Sequence, residues 1–232
     1  MKKVKVIMFV FAIGCFSTGL IAQNVSDLPS NSFPFNLGGQ TVMKYDKRYV
    51  GVKGFHTFFE NFQPGAVELR KGEVANGWIS YDAYTDNLLA TIEKTKDTVQ
   101  LRKDLVKGFV IKRPSASEVV FVKKEVNGIP TFLYELSRDS ISMYCKVSKR
   151  IIKAEIGGAY NVTEKNYNEF VTENTYFVTK SGALTELPKS KKGVIKTFPE
   201  FKDQISDFFK VNKIDFNNYN HMKSLVVFIN SL

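Results

Sequence analysis

Short β-prone runs recur at regular intervals along residues 41–147, and this spacing constrains the fold more than any other feature of the chain. The runs are residues 51–59, 66–70, 73–81, 87–93, 97–101, 107–111, 118–124, 129–136 and 140–147. Several alternate between apolar and polar residues, so that one face of the strand meets a core and the other meets water. Runs of this length and spacing predict an antiparallel meander.

The residues between these runs are suited to tight turns. Asn127 and Gly128 follow one run directly, and Gly72 ends an Arg-Lys-Gly turn after another. The residues of both turns readily adopt the positive φ that short hairpin turns require. Consecutive hairpins of half-apolar strands can form a curled sheet, a barrel-like sheet or a two-layer sandwich, and the pattern leaves these three forms open.

The last part of the chain predicts helices rather than strands. A short helix is expected over residues 164–172, followed by a final hairpin of residues 175–179 and 183–187. Beyond residue 188 the apolar residues take a helical spacing. Pro199 stands in the first turn of a second helix, and Asn217 is the expected cap of a third. The predicted class is therefore α+β, mostly β, with an antiparallel meander followed by two to three amphipathic helices.

The first twenty-two residues have the pattern of a Sec-type signal peptide. Three lysines precede an apolar run over residues 6–22, and polar sequence follows Ala22. We expect cleavage after Ala22, and export to the periplasm or the outer membrane, or secretion. The expected organisation is a signal peptide at 1–22, a loosely ordered leader at 23–40, a β-rich domain at 41–187 and a helical segment at 188–232 that packs on it.

Lipoprotein processing is the alternative fate of this segment. Small residues precede Cys15 in a pattern that loosely matches a lipidated cysteine, although the chain stays apolar beyond it up to Ala22. A membrane anchor is less favoured, because Gly14 and Gly19 interrupt a run that would need about 20 predominantly apolar residues to span a bilayer. No other segment predicts a transmembrane helix.

The charge of the chain indicates anionic partners. The formal net charge is +10, and loss of residues 1–22 removes three lysines and no acids. A basic chain favours association with lipid headgroups, acidic polysaccharide or nucleic acid. The lysines are scattered except for a dense group at residues 189–196, which we interpret as a solvated helix face. The sequence shows no nucleic-acid-binding motif, so no nucleic-acid partner is expected.

Few residues offer catalytic or metal chemistry. Without Cys15, only Cys145 remains, and its alternating surroundings predict a small buried hydrophobe in a strand. The two histidines, His56 and His221, lie far apart in sequence, and no zinc or phosphate-loop spacing occurs. We therefore expect no cofactor, no metal and no catalytic residue.

Three segments resemble an uncharacterised family of exported Bacteroidota proteins. They are Tyr-Asp-Lys-Arg-Tyr at 45–49 with Gly-Val-Lys-Gly at 51–54, Ile-Ser-Tyr-Asp-Ala-Tyr at 79–84, and the closing Asn-Ser-Leu at 230–232. A glutamine directly after Ala22 is similar to signal peptides of that phylum. The resemblance implies a location in the envelope of a two-membrane bacterium, and it implies no activity.

Two groups of residues are candidate ligand sites. Asp46, Arg48 and Tyr49 form a chemically mixed cluster in which the arginine could hold a carboxylate or a sugar phosphate. The alternative is a strand with Tyr49 packed inward and the charges in water. Asp82 and Asp86 could present two carboxylates, but we interpret them as turn residues that bond their own backbone.

Thr98 and Ser140 are candidate modification sites. Each follows an aspartate and precedes an apolar residue, which resembles the acceptor pattern for O-glycosylation in Bacteroidota. Both lie near predicted turns.

Export, basic charge and aromatic richness together favour a non-enzymatic envelope protein that binds a protein partner or an anionic envelope component. A periplasmic carrier of a small apolar or amphipathic ligand is the alternative. An enzyme ranks third, because it would depend on a pair of carboxylates facing one cleft.

Overall fold

A computed structural model describes residues 42–44, 49, 51–92, 97–113, 117–154, 167–180 and 182–232 of this chain. Those residues form eleven strands: β1 Val42–Lys44, β2 Gln63–Leu69, β3 Val74–Asp82, β4 Asn87–Thr91, β5 Thr98–Leu101, β6 Val106–Ile111, β7 Val119–Val126, β8 Ile129–Ser137, β9 Ser142–Ile152, β10 Glu169–Lys180 and β11 Ala183–Leu187. They also form helices α1 Lys191–Thr197, α2 Lys202–Val211 and α3 Tyr219–Asn230, with a 3-10 turn at Pro199–Phe201 before α2.

The eleven strands belong to one sheet in the order β1-β5-β4-β3-β2-β6-β7-β8-β9-β10-β11. Each neighbouring pair is antiparallel. Strands β2 to β5 form one meander and strands β6 to β11 a second, and the two meet where β2 pairs with β6. The predicted class, α+β and mostly β with a helical C-terminal segment, is confirmed, and the sheet is open because β1 and β11 end it.

The sheet curls strongly about its concave face. Residues 102–105 connect β5 with β6, although β4, β3 and β2 lie between those strands in the sheet. A flat sheet would set β5 and β6 about 19 Å apart, at about 4.8 Å per strand. A link of this length reaches about 18 Å only when fully extended, and this one is a turn in which Leu105 N donates to Arg102 O. The short link therefore requires curvature.

The turn between β3 and β4 fills a gap between β8 and β9. These two strands pair only from Tyr134 opposite Cys145 to Ser137 opposite Met143, and the rest of each strand is not paired with the other. Lys149 N, on β9, donates to Ala83 O over 3.0 Å, and the Tyr81 hydroxyl lies 3.5 Å from Val147 O. The curl thus brings the end of β3 against strands that are far from it in the sheet order.

Aromatic rings fill the space enclosed by this curl. Tyr81 on β3 lies 4.7 Å from the ring of Phe121 on β7, and Phe121 stacks on Phe109 of β6 at 4.7 Å. Helix α3 lies against β8 and β9, and α1 lies against β11. The helices bury an apolar face in the same core as the sheet. The helical residues in this core are Val194, Ile205, Phe209, Met222, Leu225, Val226 and Ile229.

Local signals set most element ends as expected. The turn at Asn127 and Gly128 has positive φ at both residues, 51° and 79°, which matches a type I′ hairpin. Pro199 opens the short turn before α2, as predicted. The predicted cap of α3 is wrong by one residue, because the side chain of Asn218 rather than Asn217 accepts from Asn220 N and His221 N.

Two predicted elements are wrong. Residues 51–59 do not form a strand: Lys53 and Thr57 make only isolated bridges, and Gly51 and Gly54 have positive φ, which breaks an extended chain. The helix predicted at 164–172 is replaced by strand β10 from Glu169 onward, where β10 pairs with β9 along its length. Long-range pairing outweighed a short helical pattern. Across the described ranges, no helix has both the length and the apolar character needed to cross a membrane.

Candidate functional site

Asp82 bonds the backbone of the turn between β3 and β4, as the turn interpretation predicted, whereas Asp86 lies in that turn but directs its carboxylate elsewhere. Asp82 Oδ1 accepts hydrogen bonds from the backbone N–H groups of Tyr84 and Thr85, at 2.9 and 3.1 Å. Asp86 adopts a positive φ of 55°, a conformation that aspartate tolerates better than most residues. The Asp82 carboxylate and the backbone conformation of Asp86 therefore shape the loop.

Asp86 also connects this turn to two other parts of the sheet. Its Oδ1 accepts from the Tyr81 hydroxyl at 2.8 Å and from Phe132 N on β8 at 3.3 Å. Its Oδ2 pairs with the ammonium group of Lys103, in the link between β5 and β6. Burial raises the pKa of Tyr81 well above its usual value, and the charge of Asp86 raises it further. The Tyr81 hydroxyl therefore stays protonated and donates to Asp86.

Tyr49 belongs to a cluster of rings beside Asp82. Its ring centroid lies 4.8 Å from His56, 5.2 Å from Tyr84 and 5.6 Å from Phe170. His56 Nδ1 lies 3.3 Å from Asp82 Oδ2, and the Asp82 side chain is almost fully buried. Burial raises the pKa of the Asp82 carboxyl, but hydrogen bonds from His56 and Thr85 outweigh burial and lower it overall.

The structure tests only part of the predicted cluster at residues 46–49. Tyr49 is half-buried among rings, in agreement with an inward-facing tyrosine. Asp46, Arg48 and the lipidation candidate Cys15 lie outside the described residues, so a ligand site or a lipid attachment there stays a prediction.

The two candidate glycosylation residues lie in different settings. Thr98 is the first residue of β5, where it pairs with Thr91. Ser140 is exposed between β8 and β9, and its hydroxyl donates to Asn230 Oδ1 at 2.8 Å. Because Asn230 also bonds the backbone of Ile141, the hydroxyl of Ser140 helps to attach the end of α3 to the sheet. Modification of either residue stays a prediction.

Cys145 lies in β9 with no exposed surface. Burial raises the pKa of its thiol far above the usual value, so the reactive thiolate is scarce. The prediction of a small buried hydrophobe is confirmed.

We expect Cys145 to resist alkylation in the folded chain. Iodoacetamide should label it at least roughly a hundredfold more slowly in buffer than in concentrated urea, because reaction requires both opening of the core and loss of the thiol proton. Peptide mapping by mass spectrometry reads Cys145 separately from Cys15. Equal labelling rates in buffer and in urea would contradict the burial of this thiol.

A groove of about 640 Å³ lies where several turns converge. Four basic side chains line it, and we call it the cationic groove: Arg70, Lys103, Lys107 and Lys123. Ile129 and Pro130 form apolar parts of the same wall. The groove therefore combines positive charge with apolar surface.

The curl of the sheet assembles these cations from four segments. Arg70 follows β2, Lys103 lies in the link before β6, Lys107 lies at the start of β6 and Lys123 on β7. The Lys123 ammonium donates to Lys103 O at 2.7 Å and lies 3.4 Å from Asp104 O, which fixes the link. Burial lowers the pKa of Lys123, and the charges of Arg70 and Lys103 lower it further against the opposing effect of Asp104.

Three carboxylates partly neutralise the cationic groove and its border. Asp104 itself lines the groove and pairs with Arg102, while Glu68 pairs with Lys107 and Asp86 with Lys103. Arg70 is exposed, and within the described part of the chain its guanidinium forms no hydrogen bond or ion pair. Its planar donors are thus available for a carboxylate or a phosphate, which arginine can bind through two parallel hydrogen bonds.

Sequence reasoning missed this groove. The sequence pattern predicts scattered lysines outside residues 189–196, and it indicates only a turn at Arg70. The dense lysine group at residues 189–196 instead lies exposed on and beside α1, which confirms a solvated helix face. Comparison of the chain with protein-family models, curated proteins and solved structures finds no match.

Proposed function

We propose that this chain is an exported, non-enzymatic envelope protein that binds an anionic envelope component in the cationic groove. The convergence of Arg70, Lys103, Lys107 and Lys123 on one groove carries the proposal. Export rests on the signal-peptide pattern of residues 1–22. The family resemblance supports a location in the periplasm or at the outer membrane.

The composition of the groove favours an amphipathic anion. Arg70 offers a guanidinium that pairs with no carboxylate in the described part of the chain, and Ile129 and Pro130 offer apolar surface next to it. A ligand that combines a phosphate or carboxylate with an apolar portion complements both. A carrier function would use this same groove, because the rings of Tyr81, Phe109 and Phe121 occupy the space enclosed by the sheet.

Titration with glycerol 3-phosphate tests the proposal. In ¹H–¹⁵N NMR spectra we expect saturable shifts at the amides of Arg70, Lys107 and Ile129. The Arg70→Glu variant removes one positive charge and adds a negative one, so its affinity for the phosphate should fall about tenfold or more, at roughly 1 kcal/mol for each unit of charge near an anion.

Lys192→Glu is the matched control for this titration. It makes the same change of charge on the exposed face of α1, so it changes the net charge of the chain equally and leaves the groove intact. We expect it to bind as the wild type does. Equal loss of affinity in both variants, or NMR shifts spread over all surface lysines, would show that phosphate binding depends only on the net charge of the chain. Either result would refute a site in the groove.

A further inference from the structure

An apolar side chain protrudes next to the cationic groove. Ile129 follows the tight turn between β7 and β8, and 64% of its surface is exposed. Asn127 and Gly128 form that turn with positive φ, so the hairpin end has one fixed geometry. Pro130 follows and is exposed as well. The hairpin therefore presents an apolar tip on a rigid support.

The position of Ile129 matters more than its exposure. Single exposed apolar residues are common on protein surfaces and need no explanation. Ile129, however, lines the same groove as Arg70, Lys107 and Lys123. Basic side chains around an apolar tip are the combination found where proteins lie on anionic membrane surfaces, because the charges attract headgroups and the apolar group enters the interface.

We infer that the end of the sheet formed by Arg70, Lys107, Lys123 and Ile129 docks on the surface of an anionic lipid bilayer. Arg70 and Lys107 contact lipid phosphates, and Ile129 enters the headgroup region. The inference rests on the proposed function and deepens it, since it names a lipid phosphate as the bound anion. Charge complementarity supports this partner: no carboxylate among the described residues pairs with Arg70, and the whole chain is basic.

The strength of this interaction is set by few groups. A basic side chain near an anionic membrane contributes about fivefold in affinity. Transfer of the exposed part of an isoleucine side chain out of water increases the membrane affinity about tenfold. Glu68 and Asp86 reduce the effective charge of Lys107 and Lys103, and the carboxylate of Asp104 lines the same groove. Binding should therefore be reversible and should weaken as salt screens the charges.

Co-sedimentation with vesicles tests the inference. The protein is purified from its own host, so that it carries its natural N-terminal processing. It is mixed with vesicles of phosphatidylcholine alone or of phosphatidylcholine with phosphatidylglycerol. We expect sedimentation with the anionic vesicles that decreases as salt rises, and much less with the neutral ones. The Ile129→Ser variant should bind the anionic vesicles about tenfold more weakly.

Val211→Ser is the control for loss of an exposed apolar side chain. Val211 ends α2 and is 82% exposed, so its replacement removes similar apolar surface away from the groove, and we expect unchanged vesicle binding. Urea denaturation should show that Ile129→Ser is as stable as the wild type, because the replaced side chain is exposed. Equal vesicle binding by wild type, Ile129→Ser and Val211→Ser would overturn the inference.

The two proposals fail in distinguishable ways. Suppose that glycerol 3-phosphate shifts the NMR signals of the groove residues but the protein binds neither kind of vesicle. The groove then binds a soluble anion, so the membrane inference is wrong and the proposed function stands. If glycerol 3-phosphate gives no response and the vesicles do not bind, both proposals are wrong.

Discussion

The Asp86→Ala variant is expected to unfold with a free energy about 3 kcal/mol below that of the wild type, since it removes the acceptor of two partly buried hydrogen bonds. The donors are the Tyr81 hydroxyl and Phe132 N. Tyr81 is 1% exposed, so water replaces the lost acceptor of its hydroxyl only in part. Urea denaturation followed by circular dichroism measures the difference.

The position of Asp86 explains why one surface turn should matter this much. The turn between β3 and β4 occupies the gap where β8 and β9 separate, and Asp86 connects it to β8 and to Lys103. Alanine would also have to adopt the positive φ of 55°, which is unfavourable for a residue with a Cβ and no local polar group. Both effects destabilise the same part of the sheet.

Asp86→Asn separates these contributions. Asparagine tolerates a positive φ and keeps an oxygen for the Tyr81 hydroxyl, but it loses the ion pair with Lys103. We expect it to lose less than half of the stability that alanine loses. An Asp86→Ala chain that unfolds at the same urea concentration as the wild type would show that the sheet does not depend on this carboxylate.

The sequence predicted those parts of the fold that depend on neighbours along the chain. Alternating residues and turn residues such as Asn127 and Gly128 act locally, and they indicated most of the strands and several of the hairpins. The pairing of β2 with β6 is different, because residues 70–105 separate the two strands. Such a pairing depends on the curl of the whole sheet, and no short pattern in the chain encodes it.

The same reason explains the two wrong elements and the missed groove. The segment 164–172 carries a weak helical pattern, but pairing with β9 makes residues from Glu169 onward a strand. The cations of the groove come from separate segments, so Arg70 and Lys123 are distant in sequence and close only after the sheet curls. A candidate site made of adjacent residues, such as Asp46, Arg48 and Tyr49, is easier to predict from sequence than one assembled by topology.

Asp82 is expected to make the stability of the chain depend on acid pH. Its pKa is lowered in the folded chain, because hydrogen bonds from His56 and Thr85 outweigh the opposing effect of burial. A group with a lowered folded pKa contributes stability that is present above its unfolded pKa, near 3.9, and that is lost as the pH falls through the folded value. The wild type should therefore lose stability as the pH drops below about 4.

Two substitutions at this position isolate that contribution. Asp82→Asn keeps an oxygen for Tyr84 N and Thr85 N but does not titrate, so its stability should fall less steeply than that of the wild type over the same range. Asp82→Ala loses the acceptor as well, which should cost about 2–3 kcal/mol at neutral pH. Asp104 and Glu200 also have lowered pKa values, because each bonds a basic partner, Arg102 and Lys180 respectively. The quantity to measure is therefore the difference in unfolding free energy between wild type and Asp82→Asn at each pH. If the curves of unfolding free energy against pH are parallel for wild type and Asp82→Asn, titration of Asp82 does not cause the acid dependence. The ring cluster around Tyr49 and His56 would then be stabilised by packing rather than by the charge of Asp82.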